Sequence, residues 1–581
     1  KNDPIYNAHT YHTKVPHKAI MRYILHYTNP GDVIFDGFCG TGMTGVAAQM
    51  CGDKLAVEAL GYKVLPDGTV LSEEKDDEGS SEWLPISILG QRNAVLNDLS
   101  PIATFIAYNY NTRVDVAELG NAGSQLIGKV KDKIGWSYKT DHKKGESKLG
   151  EINFTLFSDV FSCPHCANEF NFYDLAVDMV NKKVKDKFLC DSCGTELNKK
   201  NIEKVNTIRI NHRTGEQYSV AKVVPVLVNY EFEGKKFIKS PSVFDFDIVD
   251  KTKEDIVGVY TPDVLMMHKG EKWGDSWRSG YHAGFKYASD FYTERELNSL
   301  AVIWDESREI DDRRVSNTLR LVHSAINLNC SKMRRFRPDG KGGGPLAGTL
   351  YVSSLTTPPN VLKTYKRNLD TMLGALNSLG SLESTSVINS GSATALDIIP
   401  DNSIDYVFLD PPFGGNLMYS ELNFLWESWL KVWTAIENEA IENKSQNKGA
   451  SEYRDLMQLC FSEAYRVMKP GRWMSVEFSN TQASVWNSIQ ESLAKAGFIV
   501  ANVSALDKKQ GSYKAVVSPT AVKQDLVISV YKPNGGFEGR FVSESDEDGV
   551  WDFVRTHLGY LPVVKRQSGE MVKIPERDPR I

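Results

Sequence analysis

The amino-terminal part of the chain alternates between amphipathic and continuously apolar stretches. Apolar residues at helical spacing predict a helix that begins near Pro16 and ends before Asn29-Pro30-Gly31. Val33-Ile34-Phe35 and Ala94-Val95-Leu96 are short apolar runs, which are typical of strands buried on both faces. This alternation predicts half of a doubly wound parallel sheet.

The same alternation returns towards the carboxyl end, after a long irregular region from about Thr112 to Ser386. Within that region, runs such as Val223 to Val228 have a strand-like pattern, and helical stretches run from Glu294 to Asn327. Beyond it the pattern predicts three more strands, at Ile404 to Leu409, Met474 to Phe478 and Leu526 to Tyr531. The fold class we expect is therefore α/β, with one doubly wound, Rossmann-like sheet split by a large insert.

Length, composition and charge limit the kinds of protein that this chain can be. A chain of 581 residues favours two to four domains, and no window has the roughly 18 consecutive apolar residues that a membrane helix needs. The segment Lys1 to Thr13 has no signal-peptide pattern, so we expect a cytoplasmic protein without membrane association. With a net charge of -6, any contact with nucleic acid must come from local basic patches.

A glycine-rich turn, Asp36 to Gly42, follows the first predicted strand and precedes a helix of small apolar residues. Glycines at this position let the backbone approach a bound cofactor closely, although such a turn can also be purely structural. Asp98 ends the next predicted strand, where its carboxylate can accept hydrogen bonds from ribose hydroxyls. The sequence thus predicts a nucleotide-type cofactor at the ends of these strands.

The loop Asp410-Pro411-Pro412-Phe413 is the most specific pattern in the chain. Two prolines after a buried strand fix the backbone, so that the Asp410 carboxylate and the next carbonyl can act as acceptors. Acceptors on both amino hydrogens favour a tetrahedral, nucleophilic amine, and the phenyl ring of Phe413 can stack on a planar base. These residues therefore predict chemistry on an exocyclic amino group.

Four of the eight cysteines form two Cys-x-x-Cys pairs, Cys163 with Cys166 and Cys190 with Cys193. Two such pairs supply four thiolates for a tetrahedral zinc ion, and a closed site of this kind leaves no position for catalysis. The pattern predicts a structural zinc. It leaves open whether the zinc segment only stabilises the fold or also contacts DNA.

Together with their flanks, these residues resemble the amino-methyltransferases of DNA, and more narrowly the adenine-specific methylases that carry a zinc ribbon. The resemblance covers most of residues 5 to 112 and 386 to 532. It is carried by Tyr11-His12-Thr13-Lys14-Val15-Pro16, Asn29-Pro30-Gly31-Asp32, Asn97-Asp98-Leu99-Ser100-Pro101, Pro400-Asp401-Asn402-Ser403-Ile404-Asp405, Tyr419-Ser420-Glu421-Leu422 and Arg466-Val467-Met468-Lys469-Pro470-Gly471.

The resemblance implies S-adenosylmethionine as cofactor and Asp410, Pro411, Pro412 and Phe413 as catalytic residues. The chain departs from the family by having Gly37 after Asp36, where proline is usual, and Ser392, where an acidic residue is usual. The residues that the resemblance assigns to cofactor binding are Lys14, Asp36, Phe38, Gly40, Gly42, Asp98, Leu99 and Ser392.

The resemblance further implies four segments: a cofactor-binding half at 1–112, an insert at 113–385 with a zinc ribbon and a target-recognition region, a catalytic half at 386–534, and an uninterpreted extension at 535–581. It implies double-stranded DNA as substrate, N6 of a flipped-out adenine as target, and a role in restriction-modification or phage defence with a partner protein of such a system. Alternatives are N4 of cytosine, an RNA base, or an inactive DNA-binding module.

Two basic stretches are candidates for DNA contact. Lys332 to Arg337 combines guanidinium groups with an aromatic ring and is followed by a glycine-rich stretch, which suits phosphate contact and base stacking. A solvated basic loop is the alternative. Lys182, Lys183 and Lys185 lie beside the zinc segment and form a weaker candidate.

Overall fold

The chain folds into two compact units. The structure is a computed structural model that describes residues 3–75, 81–142, 148–211, 214–254, 258–266, 283–340, 342–380, 385–479, 483–506, 525–533, 564–567 and 570–573. One unit, here called the α/β unit, contains 13–113, 381–417 and 435–581, and the other, here called the accessory unit, contains 1–12, 114–380 and 418–434.

The α/β unit is built on a seven-stranded sheet of the described residues. The strands are β1 (Val33–Asp36), β2 (Asn93–Asp98), β3 (Ser386–Ser390), β4 (Ile404–Leu409), β5 (Met468–Phe478), β6 (Ile499–Leu506) and β7 (Asp525–Tyr531). Their order in the sheet is β3-β2-β1-β4-β5-β7-β6. The first five strands of this order are parallel, and β7 is antiparallel to both of its neighbours. The order reverses between β1 and β4, as in a doubly wound sheet.

Helices flank this sheet, and the core lies between them and the strands. The buried side chains of Val407, Leu409 and Val476 on β4 and β5 pack with Phe461 and Ile489 in one apolar cluster. The described helices of the unit are α1 (His17–Tyr27), α2 (Met43–Met50), α3 (Lys54–Glu58), α4 (Pro101–Asn111), α5 (Ala450–Val467) and α6 (Ala483–Lys495), with 3-10 turns at Ile436–Asn438 and Lys444–Gln446.

The polar stretch between α3 and β2 forms strands of its own. It contains a three-stranded antiparallel sheet of Lys63–Val64, Thr69–Lys75 and Ser81–Ile88. Polar residues suit these strands because, among their residues whose burial is described, only Val64 and Val70 are buried. The sequence pattern alone did not reveal these strands. A separate hairpin pairs Val564–Gln567 with Glu570–Lys573 in the carboxyl-terminal extension, most of which lies outside the described residues.

The accessory unit centres on the long strand Leu149–Ser162, which pairs with five shorter strands. Its other strands are Lys139–Asp141, Glu169–Asn171, Val177–Asp178, Lys183–Val184, Lys187–Leu189, Glu196–Asn198, Glu203–Lys204, Asn206–Ile210, Gln217–Ala221, Val223–Phe232, Lys235–Lys239 and Leu355–Thr356. Its helices are Pro4–Asn7, Val116–Ile134, Phe172–Ala176, Val243–Glu254, Glu294–Arg308, Arg313–Asn327, Val361–Ser378 and Tyr419–Leu430, with 3-10 turns at Gly135–Tyr138 and Ala288–Phe291.

Two segments that the sequence placed in the cofactor-binding and catalytic halves lie in the accessory unit. Residues 1–12 join it in part through His9, whose Nε2 lies 3.0 Å from the Ser324 hydroxyl. Residues 418–434 join it through the buried Trp426, whose indole N–H donates to the Ser324 carbonyl at 2.8 Å. Long-range contacts of this kind leave no local mark in the sequence. Among the described helices none is long and apolar enough to cross a membrane.

Candidate active site and metal centre

The segments singled out in the sequence meet at one edge of the α/β sheet. Phe35 on β1 pairs with Val407 on β4, Asp36 pairs with Leu96 on β2, and Ser390 on β3 pairs with Asp98. Because all four strands are parallel, the chain leaves them at the same edge, where open sheets bind their ligands. The glycine turn, Asp98, Ser392 and the Asp410 loop therefore start from neighbouring strand ends.

The glycine turn is held by its own first residue. The buried Asp36 carboxylate accepts hydrogen bonds from the Phe38 N–H at 3.0 Å and from the Thr44 hydroxyl at 2.5 Å. Burial raises the pKa of Asp36 to about 7, against the opposing effect of these hydrogen bonds. Asp36 thus fixes the turn, while the half-buried Phe38 packs on the apolar cluster of the sheet.

Gly40 and Gly42 have left-handed backbones, with φ of 49° and 74°. At Gly42 a side chain is also excluded by space, because a Cβ would lie 2.6 Å from Asn111 Nδ2. The same Asn111 amide donates to the Gly42 carbonyl at 3.0 Å. Asn111 therefore ties the end of α4 to the turn, a role for which the sequence carried no signal.

Asp98 is bonded to the glycine turn directly. Its carboxylate accepts from the Gly40 N–H at 2.8 Å and from the Ser100 N–H at 2.9 Å. Burial raises the pKa of this half-buried carboxyl to about 6, although these backbone hydrogen bonds oppose the shift. Each carboxylate oxygen has two lone pairs, so acceptor capacity remains for a ligand. Leu99 follows, also half-buried, between Asp98 and Ser100.

Asn97 links the ends of β1, β2 and β3. The buried side chain donates to the Gly391 carbonyl at 3.0 Å and accepts from the Asn389 amide at 2.7 Å. Its backbone carbonyl accepts from the Cys39 N–H at 3.0 Å. Ser392 lies just beyond, half-buried, with its hydroxyl 2.8 Å from that of Thr394. The sequence placed Asn97 in a motif but did not indicate this bridging role.

The loop after β4 is anchored at its third residue. The buried Tyr453 on α5 donates its hydroxyl proton to the Pro412 carbonyl at 2.8 Å. The half-buried ring of Phe413 packs edge to face on Phe478, with 5.5 Å between ring centroids. The loop is thus fixed on the core from two sides, and Asp410 at its start is half-buried. Tyr453 comes 41 positions after Pro412 in the chain, so no local pattern could reveal it.

Lys14 does not lie at a strand end. It lies just before α1 and is half-buried, and burial lowers the pKa of its amino group to about 7.

The four paired cysteines of the accessory unit come together. Their sulfur atoms all lie within 4.8 Å of one another, with 3.8 Å from Cys163 to Cys193 and 3.8 Å from Cys166 to Cys190. Four sulfurs bound to one zinc at about 2.3 Å in a tetrahedron lie about 3.8 Å apart. The donor set and its spacing therefore fit a tetrahedral zinc ion.

The two cysteine pairs have the same backbone form. The N–H of Ala167 donates to the Cys163 carbonyl at 2.9 Å, and the N–H of Gly194 donates to the Cys190 carbonyl at 3.0 Å. Ala167 and Gly194 are both left-handed, with φ of 58° and 71°. The first pair thus has Ala167 at the position where the second pair has Gly194, and this conformation favours glycine.

The basic stretch Lys332 to Arg337 is largely used inside the accessory unit. Lys332 Nζ donates to the Asp290 carbonyl at 2.9 Å, and Arg335 Nε donates to the Gly344 carbonyl at 3.2 Å. The exposed Arg337 pairs with Asp339 at 2.8 Å. These contacts give the stretch a structural role, which its content of arginine and lysine does not reveal. Basic side chains that bind within the unit are less available to contact DNA.

Comparison with protein families finds a match of residues 1–67 to the DNA methylase model of N6 and N4 methyltransferases. The match covers 67 of the 581 residues. It includes Lys14 and the whole glycine turn, but neither Asp98 nor the Asp410 loop. Comparison with curated proteins finds no match.

Solved structures similar to parts of the chain include a DNA modification methylase from Thermus thermophilus, described as putative, at 18% identity and a TM-score of 0.16, covering 25% of this chain and 51% of that one. The chain therefore spans about half the length of that protein. Another is the antibiotic-resistance methyltransferase Kmr, at 11% identity and a TM-score of 0.17, covering 30% and 73%. A third is the 16S rRNA (adenine(1408)-N(1))-methyltransferase from Catenulisporales acidiphilia, at 14% identity and a TM-score of 0.16, covering 29% and 74%.

Proposed function

We propose that the protein is an S-adenosylmethionine-dependent DNA methyltransferase that modifies the N6 amino group of adenine. The observation that supports this proposal is the pairing of Phe35 with Val407, which makes β1 and β4 adjacent and parallel. The Asp36 to Gly42 turn and the Asp410 loop therefore follow neighbouring strands. Transfer of a methyl group from a bound cofactor to a base amine requires that the cofactor-binding turn and the amine-binding loop lie side by side.

The cofactor would be held at the ends of β1, β2 and β3. The left-handed Gly40 and Gly42 bring the backbone close to it, and the Asp98 carboxylate accepts hydrogen bonds from its ribose hydroxyls. Ser392, just beyond the end of β3, would offer a hydroxyl to its adenine end. Lys14, Asp36, Phe38 and Leu99 complete the proposed set. When bound, S-adenosylmethionine supplies a methyl group already activated by its sulfonium.

The base would be held by the loop after β4. The Asp410 carboxylate and the Pro411 carbonyl accept the two hydrogens of the exocyclic amine, which directs the nitrogen lone pair out of the ring. Phe413 supplies an aromatic surface for stacking, and Pro411 and Pro412 restrict the loop so that the acceptors are positioned before the base arrives. In a duplex the amine is paired, so the adenine must be flipped out first.

Replacement of Asp410 by alanine tests the catalytic part. We expect Asp410→Ala to abolish methyl transfer to duplex DNA from labelled S-adenosylmethionine, with cofactor affinity measured by titration calorimetry changed no more than about threefold, or about 0.7 kcal/mol. Asp397→Ala is the matched control, because Asp397 is exposed and lies 13 positions earlier on the same segment. Loss of cofactor binding together with activity in Asp410→Ala would contradict the assignment.

Matched DNA and RNA oligonucleotides distinguish the substrate. The proposal requires transfer to DNA, whereas transfer to RNA alone would leave the chemistry in place and change the substrate class. Absence of transfer to either would favour an inactive DNA-binding module.

The four cysteines would bind a structural zinc, since four thiolates leave no open position on the metal. The proposal also includes a role in restriction-modification or phage defence, in which DNA methylation lets a partner protein distinguish host DNA from foreign DNA. Co-purification of the protein from cells carrying its native gene neighbourhood tests for that partner.

A further inference from the structure

A short hairpin between the two cysteine pairs extends into solvent. Val177–Asp178 pairs with Lys183–Val184, and every residue from 179 to 187 is exposed. Val180 at the tip is 90% exposed, Met179 is 46% exposed and Val184 is 41% exposed. Met179 and Val180 follow one another in the turn and form an exposed apolar tip, whereas Val184 lies on the returning strand opposite Val177. Exposed apolar surface in soluble proteins can mark an interaction site.

The tip is held in one conformation by its own hydrogen bonds. The Asp178 carboxylate accepts from the Asn181 N–H at 2.9 Å and from the Asn181 side-chain amide at 2.7 Å. The same hydrogen bonds lower the pKa of Asp178, because they favour its ionised form. Lys182 closes the turn with a left-handed backbone, φ 53°.

The base of the hairpin is joined to the core of the zinc segment. The Lys185 N–H donates to the Ala176 carbonyl at 2.8 Å, and Phe172 and Phe188 on either side are buried in a cluster with Cys163 and Cys190. The hairpin is therefore attached to the packed core of the zinc segment. An element that is already folded before binding loses less conformational entropy when it contacts a partner.

The charge around the apolar tip is positive. Lys182, Lys183 and Lys185 are all exposed, and one exposed carboxylate, Asp186, lies among them. The carboxylate of Asp178 is directed into the turn. An apolar tip flanked by lysines is complementary to double-stranded DNA. The lysines match the negatively charged phosphates, and the apolar tip matches the stacked base pairs.

We propose that this hairpin is a DNA-contacting wedge. Met179 and Val180 would enter the minor groove and press between neighbouring base pairs, while Lys182, Lys183 and Lys185 contact phosphates on either side. Apolar wedges of this kind partly unstack a base step and bend the duplex. The choice of double-stranded DNA as the polyanion rests on the proposed function.

The experiment uses the zinc-loaded protein and tests the lysines and the apolar tip of the wedge separately. The probe is a fluorescent duplex, with binding followed by anisotropy at several salt concentrations and bending followed by energy transfer between its ends. We expect Lys182→Gln, Lys183→Gln and Lys185→Gln combined to weaken binding and to lower the slope of log affinity against log salt by about 0.9 per lost phosphate contact. We expect Met179→Ser with Val180→Ser to weaken binding and reduce bending, with the slope unchanged.

A second hairpin of the accessory unit provides the matched control. Lys235 and Lys236 are also exposed lysines at a hairpin tip, and Ile238 beside them is 65% exposed. Lys235→Gln with Lys236→Gln, and Ile238→Ser, should leave affinity, slope and bending as in the unmodified protein. Zinc content and thermal unfolding verify that each variant is folded.

The outcomes distinguish this proposal from the proposed function. Affinity and slope equal to the unmodified protein in the wedge variants overturn the wedge, even if the protein methylates DNA normally. Equal losses in the control hairpin overturn it too, since they show a general charge effect. DNA bending that depends on Met179 and Val180 supports the wedge even if no methyl transfer is detected, in which case the proposed function is the part that fails.

Discussion

The hydroxyl of Tyr453 lies 2.8 Å from the carbonyl oxygen of Pro412 and donates a hydrogen bond to it. This contact connects helix α5 to the loop in which Asp410 and Pro411 are proposed to bind the target amine. It makes Tyr453 a positioning residue, because it acts on the loop and not on the base.

Tyr453→Phe should therefore slow methyl transfer without weakening cofactor binding. Loss of one buried hydrogen bond costs about 1 kcal/mol, which predicts a kcat about fivefold lower if the loop relaxes by that amount. Steady-state kinetics and cofactor calorimetry measure the two effects separately. Tyr465→Phe on the same helix is the control, since that ring packs edge to face on Phe498, with 5.1 Å between ring centroids. An unchanged kcat in Tyr453→Phe would show that the prolines alone hold the loop.

Asp98 should control cofactor affinity in a way that depends on pH. Its pKa is raised to about 6, so the carboxyl becomes protonated below that pH and loses its charge-assisted hydrogen bonds to a ligand. We expect affinity for S-adenosylmethionine to fall as the pH drops from about 7 to about 5. Burial raises the pKa of the nearby Asp36 to about 7, so its titration overlaps with that of Asp98, and variants of Asp98 are needed to separate the two.

Two variants of Asp98 check this assignment by calorimetry. Asp98→Ala and Asp98→Asn should each weaken cofactor binding by about 1 to 3 kcal/mol. In Asp98→Asn the dependence of affinity on pH near 6 should disappear. Unchanged affinity would mean that another group binds the ribose.

Zinc should be present at about one ion per chain and should stabilise the accessory unit. Cys163→Ser or Cys190→Ser should lower the zinc content and the thermal unfolding temperature, because each removes one thiolate of a closed site. Cys460→Ser, a buried cysteine on α5 outside the cluster, controls for the loss of a thiol. Full stability without zinc in both ligand variants would contradict a structural metal.

The left-handed residues beside the cysteine pairs allow a finer test. Ala167→Gly should raise the free energy of unfolding of the zinc segment by about 1 kcal/mol, because glycine adopts a positive φ without the Cβ penalty. Gly194→Ala should lower it by a similar amount, since a Cβ there meets no atom within 4 Å and only the backbone conformation opposes it. Equal effects of the same sign in the two variants would refute the backbone equivalence of the two pairs.

The methylated nucleoside should be N6-methyladenine. The loop acceptors serve adenine and cytosine alike, but in the family that the chain resembles, aspartate at the first loop position accompanies adenine more often, whereas serine accompanies cytosine. Phe413 in place of the commoner tyrosine keeps a stacking face worth about 1 to 3 kcal/mol and should not change the base. Mass spectrometry of digested, modified DNA identifies the product, and N4-methylcytosine alone would reverse this prediction.

The sequence by itself determined part of the local structure. Val33 to Phe35, Ala94 to Leu96 and Ile404 to Leu409 were predicted as strands from apolar runs, and the structure confirms them. The cysteine pairs carried the metal prediction, which the sulfur positions support. Apolar runs, glycine turns and ligand spacings act over a few residues, so their physical causes are visible in a short stretch of chain.

Only the tertiary structure decided which of these elements meet. The adjacency of β1 and β4, the bridge at Asn97 and the bond from Tyr453 to Pro412 join residues far apart in the chain. Residues 1–12 and 418–434 likewise join the accessory unit through contacts such as Trp426 with Ser324. Such contacts depend on sheet order and on complementary packing, which arise only when the whole chain has folded.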